Sequence, residues 1–245
     1  MKETLLFLHG FPLNHTMWRY QLDALAKDFH CLAPDLRGFG ANKPLPEDAP
    51  LSMDEFADDA AALLAQHNVT QATVCGLSMG GYIAFALWRK YPQLVKRLVL
   101  CHTKASADTA EARANRERQA GRVRTDGIHV LADEMLPRLL APNNLLRLEA
   151  EVRAMITSNA SSTIIAALRA LANRRDMRDQ LHNIQAPTLV IAGDADTIAP
   201  LADAHVMAEG IPNAKLVVIA SAAHLSPLEQ PEQFNAALQK FLSDG

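Results

Sequence analysis

A chain of 245 residues with 49% hydrophobic and 21% charged side chains can bury a sizeable core as one medium domain, and its composition excludes a disordered, coiled-coil or collagen-like protein. A net charge of −3 gives no general attraction to phosphate backbones or anionic lipid, so neither nucleic acid nor a membrane is expected as a partner. No apolar run approaches the roughly 20 residues of a membrane span, and the start MKETLLFLHGF lacks the long apolar stretch and cleavage site of a secretory signal, so a cytoplasmic location is expected.

Short apolar runs alternate with longer stretches of helical period, the pattern of βαβ units around a parallel sheet. Strands are expected at Thr4–Leu8 and His30–Pro34. Ser52 and Glu55 form a capping box ahead of Phe56, Ala60, Leu63 and Leu64, which predicts a helix running to about His67. A strand over Ala72–Cys75 leads into a helix from Met79 to Tyr91, stopped by Pro92, and another strand follows at Arg97–Cys101. From His102 to about Leu181 the alternation gives way to residues rich in Ala, Leu and Arg with helical spacing. Strand-like runs resume at Thr188–Ala192 and Lys215–Ile219. Residues 103–180 are therefore expected to form a helical lid inserted into a core built from 1–102 and 181–245. Pro200 opens a helix that Gly210 closes, and Pro231 opens the terminal one through Leu242. Cys31, Cys75 and Cys101 cannot all pair within one chain and match no zinc spacing, so free thiols packed beside strands are expected.

The sharpest chemical signal is Gly76-Leu77-Ser78-Met79-Gly80-Gly81, placed between a predicted strand and a predicted helix. In such an elbow the serine is held on a strained turn, flanked by glycines because a Cβ there would strike neighbouring backbone, and its hydroxyl is presented above the sheet. A serine hydroxyl is a poor nucleophile at neutral pH and needs a base, itself oriented by a carboxylate. Gly193-Asp194-Ala195-Asp196 follows one strand and His224 follows the next, both at carboxyl ends, where parallel sheets place catalytic groups. Asp194 competes for the role of acid, but its position directly after Gly193 leaves it at the strand end and favours Asp196.

With these motifs the chain resembles the α/β-hydrolase superfamily over nearly its whole length. His9-Gly10-Phe11-Pro12 is similar to that family's oxyanion loop, Asp35-Leu36-Arg37-Gly38-Phe39-Gly40 to its D-x-R-G-x-G turn, Gly193 to Asp196 to its acid loop, and Ala223-His224 with Glu229-Gln230-Pro231 to its histidine loop. Within the superfamily, GLSMGG and AAHLSPLEQPEQF are most similar to the 3-oxoadipate enol-lactonase-like carboxylesterases. The resemblance implies an α/β fold with a mostly parallel sheet of about six strands flanked by helices and a helical lid. The strand carrying the oxyanion loop begins by Thr4, so the family's first two strands are expected to be absent. It also implies Ser78, Asp196 and His224 as catalytic triad, with the main-chain N–H groups of Phe11 and Met79 as oxyanion hole.

Other residues have plainer roles. His9 is expected to hold the oxyanion loop, while His15, His102 and His205 are expected at the surface or in packing. Trp18, Met79 and Phe11 are expected to wall the substrate pocket. Most of the nine arginines Arg113, Arg116, Arg118, Arg122, Arg124, Arg169, Arg174, Arg175 and Arg178 should lie on solvated helix faces, with one or two available to bind a substrate carboxylate. No metal-ligand spacing and no glycine-rich nucleotide loop occurs, so no cofactor is expected. The expected activity is hydrolysis of a small-molecule carboxylic ester or lactone through an acyl-enzyme. The same constellation also fits a carbon–carbon bond hydrolase of the meta-cleavage type, a cofactor-free perhydrolase, or a receptor that holds a signal molecule in the cavity.

Overall fold

The protein is described by a computed structural model covering residues 2–244. In chain order its elements are β1 (Thr4–Leu8), α1 (Arg19–Leu25), β2 (His30–Leu32), α2 (Met53–Gln66), β3 (Ala72–Leu77), α3 (Met79–Lys90) and β4 (Val95–Cys101). Four helices follow: α4 (Ala110–Asp126), α5 (His129–Leu139), α6 (Pro142–Thr157) and α7 (Ser161–Ala172). The chain then returns through β5 (Thr188–Gly193), α8 (Leu201–Gly210), β6 (Ala214–Ile219), α9 (Ser226–Glu229) and α10 (Pro231–Ser243).

Six strands form one sheet in the order β2-β1-β3-β4-β5-β6, and every neighbouring pair is parallel. β1, β3 and β5 are buried at every position, which explains why their sequences are nearly unbroken apolar runs rather than alternating ones. The edge strands differ. β6 is largely half-exposed, and β2 stops at Leu32, two residues short of the expected end at Pro34. Pro34 has no N–H to give a ladder and restricts Ala33 before it, so pairing ends there.

Helix boundaries follow local chemistry. Ser52 caps α2, its Oγ accepting from the N–H groups of Asp54 and Glu55, and Pro200 and Pro231 open α8 and α10. All strands point the same way, so the segments after β1, β3, β4, β5 and β6 converge on one edge of the sheet. α4–α7 lie between β4 and β5 in the chain and dock over that edge. Asn159, after α6, donates to Pro12 O and accepts from the Gly40 N–H, both at 2.9 Å, and Thr163 of α7 accepts from the Leu45 N–H at 2.9 Å. Among the described residues no helix is long and apolar enough to cross a membrane. All three cysteines are free thiols; Cys75 and Cys101 lie with sulfurs 3.8 Å apart in the core, where burial pushes the Cys101 thiol well up.

Candidate active site

Ser78 joins β3 to α3 with φ +55° and ψ −109°, a conformation that costs an ordinary L-residue about 1–3 kcal/mol. The surroundings hold it there. Its N–H donates to Cys101 O at 2.8 Å, and its carbonyl accepts from the Thr103 hydroxyl at 2.9 Å. The flanking glycines are required by space: a Cβ on Gly76 would lie 2.1 Å from Gly80 O, and one on Gly80 would lie 2.1 Å from Leu8 O. α3 can therefore pack directly on β1 and β3 only because both side chains are missing.

Asp196 and His224 arrive on the loops after β5 and β6. His224 Nδ1 donates to Asp196 Oδ2 at 2.8 Å. This fixes the imidazole tautomer, with Nε2 left free to accept a hydrogen, and His224 and Ser78 line the same cavity. Asp196 Oδ1 accepts from the N–H groups of Ile198 at 2.8 Å and Ala199 at 3.0 Å. Burial raises the Asp196 carboxyl, but the charge of His224 and the hydrogen bonds from two histidines outweigh it and hold the group far below the usual carboxylate range. Asp194 has a different task. Its carboxylate accepts from the N–H groups of Ser221 and Ala222, pinning the start of the histidine loop without touching His224.

The second histidine on Asp196 is His102, and its placement corrects the sequence reading, which put it at the surface or in packing. His102 Nδ1 donates to Asp196 Oδ2 at 2.9 Å, and its Nε2 pairs with Ser226 Oγ at 2.6 Å. The signal was its position one residue beyond β4, the strand next to the elbow strand. The other histidines have the expected plain roles. His9 is fully buried, donates from Nδ1 to Gly10 O and accepts the Leu36 N–H at Nε2, both at 3.0 Å. Burial lowers its pKa to about 4. It thus ties the oxyanion loop to the following turn as a neutral ring. His15 binds Asp35 at 2.7 Å, and His205 is exposed beside Glu209.

Phe11 lines the cavity, and Met79 begins α3. Among the described residues their N–H groups have no main-chain acceptor, as donors for an oxyanion require. Trp18 is not a pocket wall. It is fully buried in the core, packed on Phe7 and Phe234 at centroid distances of 5.1 and 6.0 Å. A large apolar ring between β1 and α10 is better buried there than at a wet cleft.

The cavity measures about 520 Å³ and is roofed by α4 and α5. Of the nine arginines, Arg116, Arg118, Arg122 and Arg174 line it, more than the one or two expected, and Lys104 and Arg138 join them. Arg116 and Arg174 both hold Asp108, Arg122 pairs with Glu134, and Lys104 reaches Asp203 at 3.2 Å. Arg118 donates to Asn115 Oδ1. Among the described residues no carboxylate partner meets Arg118 or Arg138, so the roof carries surplus positive charge.

One buried carboxylate joins roof and floor. Glu229 Oε1 accepts from the N–H groups of Ala223 and Leu225, on either side of His224, at 2.9 and 3.1 Å. Its Oε2 accepts from the Ala141 N–H, between α5 and α6, at 2.7 Å and from Asn144 Nδ2, in the first turn of α6, at 3.0 Å. His224 N also donates to Leu139 O at 3.1 Å. The helical insertion thus braces the histidine loop as well as covering the site.

A family profile described as alpha/beta hydrolase fold matches residues 3–231. The chain is 30% identical to 3-oxoadipate enol-lactonase 2 of Acinetobacter baylyi over 242 residues, 97% of this chain and 88% of that protein. Among solved structures, a thermophilic esterase from Thermogutta terrifontis superposes with a TM-score of 0.96 at 39% identity, covering all of this chain and 90% of the other. The enol-lactonase from Burkholderia xenovorans superposes with a TM-score of 0.91 at 28% identity, covering 99% and 92%. The chain belongs to the α/β hydrolase family.

Proposed function

We propose that this protein is a serine hydrolase that cleaves a small carboxylic ester or lactone bearing a negative charge, through an acyl-enzyme. The observation that carries the reading is the strained Ser78 facing the same cavity as His224, whose Nδ1 is bonded to Asp196 at 2.8 Å. In this reading Ser78 Oγ attacks the acyl carbonyl and His224 Nε2 takes its proton. Asp196 holds the tautomer and stabilises the imidazolium. The N–H groups of Phe11 and Met79 receive the oxyanion, at about 3 kcal/mol per donor. The imidazolium then protonates the departing oxygen, which leaves as an alcohol or, from a lactone, remains as the far end of the opened ring. Water, activated by His224, repeats the attack and frees Ser78.

The negative charge on the substrate follows from the roof. Among the described residues Arg118 and Arg138 meet no carboxylate, and a guanidinium fork suits a carboxylate bidentately. The Acinetobacter and Burkholderia relatives are enol-lactonases by name, and the Thermogutta esterase structure is malate bound, which agrees with lactone or ester cleavage and with an acidic ligand. The test is a series of p-nitrophenyl esters and lactones, neutral and acidic, on wild type and Ser78→Ala, with fluorophosphonate labelling. Ser78→Ala should fold normally and lose on the order of 10⁶ in kcat. Ligand binding without turnover in wild type, or labelling at another serine, would refute the reading.

A further inference from the structure

Three non-glycine residues at the active edge of the sheet are forced into the left-handed region: Ser78 at φ +55°, His102 at φ +49° and Ser221, on the histidine loop, at φ +57°. The strain at Ser78 presents the nucleophile. The strain at His102 turns its ring under the acid, with its N–H held by Ile191 O at 2.8 Å. Positive φ at a bulky residue persists only where neighbouring structure over-determines it. Resting on the reading of Ser78, Asp196 and His224 as the reacting groups, we propose that His102 is a positioning residue of this enzyme, a second imidazole that holds Asp196 in the orientation and charge state that set the strength of His224 as base.

The hydrogen positions follow from the partners. A carboxylate accepts only, so Nδ1 of both His102 and His224 carries hydrogen. The His102 side chain is fully buried, and burial lowers its pKa against the opposing bond from Asp196, which favours the neutral ring with Nε2 accepting from the Ser226 hydroxyl. Ser226, itself fully buried, locks the ring from behind. Asp196 Oδ2 thus divides its acceptor strength between two imidazole donors, while Oδ1 is occupied by two main-chain N–H groups. The charged or titratable groups around the pair are Asp196 on the loop after β5, His224 on the loop after β6, and Glu229 at the end of α9. His102 does not line the cavity, so it acts on the chemistry through Asp196 and not on substrate binding.

The sign of the effect can be worked out. Removing one donor concentrates the carboxylate charge on His224, favours its imidazolium, and moves the acid limb of kcat/KM to higher pH. Two variants separate the two bonds, because an Asn amide nitrogen falls near His Nδ1 and a Gln amide near His Nε2. His102→Gln keeps a partner for Ser226 and loses the bond to Asp196; His102→Asn keeps the bond to Asp196. With p-nitrophenyl acetate, His102→Gln should lower kcat about tenfold at nearly constant KM and shift the acid limb up by about half a pH unit. His102→Asn should stay within about threefold of wild type with its acid limb in place. Any other ranking, or an unshifted limb in His102→Gln, overturns the proposal. If either variant fails to fold, proton NMR of the wild type decides: two low-field imidazole N–H resonances support two rings bonded to the acid, and a single one contradicts it. The outcomes stay distinct from those for the reading beneath it, since failure of wild type to turn over esters through Ser78 sinks both, whereas turnover through Ser78 with an indifferent His102 sinks this one alone.

Discussion

The floor and the roof of the cavity are built on opposite principles. On the floor, beside the exposed Asp194 with its two main-chain N–H donors, both buried carboxylates are saturated: Asp196 accepts four hydrogen bonds and Glu229 four. Such groups are dry and fixed, and fixed dipoles need no reorganisation as charge develops. On the roof Arg118 and Arg138 are exposed and, among the described residues, meet no carboxylate. Cations left incompletely paired beside a cavity are available to a ligand. A site can thus keep one layer rigid while leaving recognition to helices that change independently.

The largest effect belongs to the floor. Asp196→Asn should lower kcat by about 10⁴, because an amide admits the wrong imidazole tautomer. Asp194→Asn, which touches only the Ser221 and Ala222 N–H groups, should cost far less. Steady-state kinetics on both variants checks this, and the reverse ranking would make Asp194 the acid.

The next effect lies at the joint. Glu229→Gln turns an amide NH₂ towards N–H donors now held by a 2%-exposed carboxylate, and should lower unfolding stability by about 3 kcal/mol. Urea unfolding measures it. A change below about 0.5 kcal/mol, the size expected of an unremarkable surface substitution, would mean that Glu229 does not tie the insertion to the histidine loop.

The smallest effect is on the roof, and it should be selective. Arg118→Ala and Arg138→Ala should each lower kcat/KM for acidic esters about tenfold and leave neutral acetate esters nearly unchanged. Equal losses on both substrate kinds would mean that these arginines support folding instead of recognition.

The same division explains what the sequence revealed. Ser78 was legible because a strained turn at a strand end demands glycines at fixed spacing, Asp196 and His224 because each follows the carboxyl end of a strand, and the buried strands β1, β3 and β5 because they are apolar runs. Asp196 could be separated from Asp194 because two residues of chain determine which carboxylate clears the strand end. His102 was only half legible: its place one residue beyond β4 marks a strand end, but nothing local says that it meets Asp196 across 94 positions of sequence. Trp18 was misread because an aromatic following the oxyanion loop can turn towards the cavity or the core, and only the packing of Phe7 and Phe234 decides. On the roof, helical period gave the helices without their facing, so Arg138 passed unnoticed and more arginines than expected reached the cleft.

The central claim is that Ser78 forms a covalent acyl intermediate within the floor. Rapid-quench mass spectrometry with a slowly deacylating acidic ester tests it most directly. The account predicts one acyl mass added to the peptide containing Ser78, appearing in a burst and decaying at the steady-state rate, and no adduct in Ser78→Ala. Turnover without any adduct, or an adduct on a different residue, would contradict it.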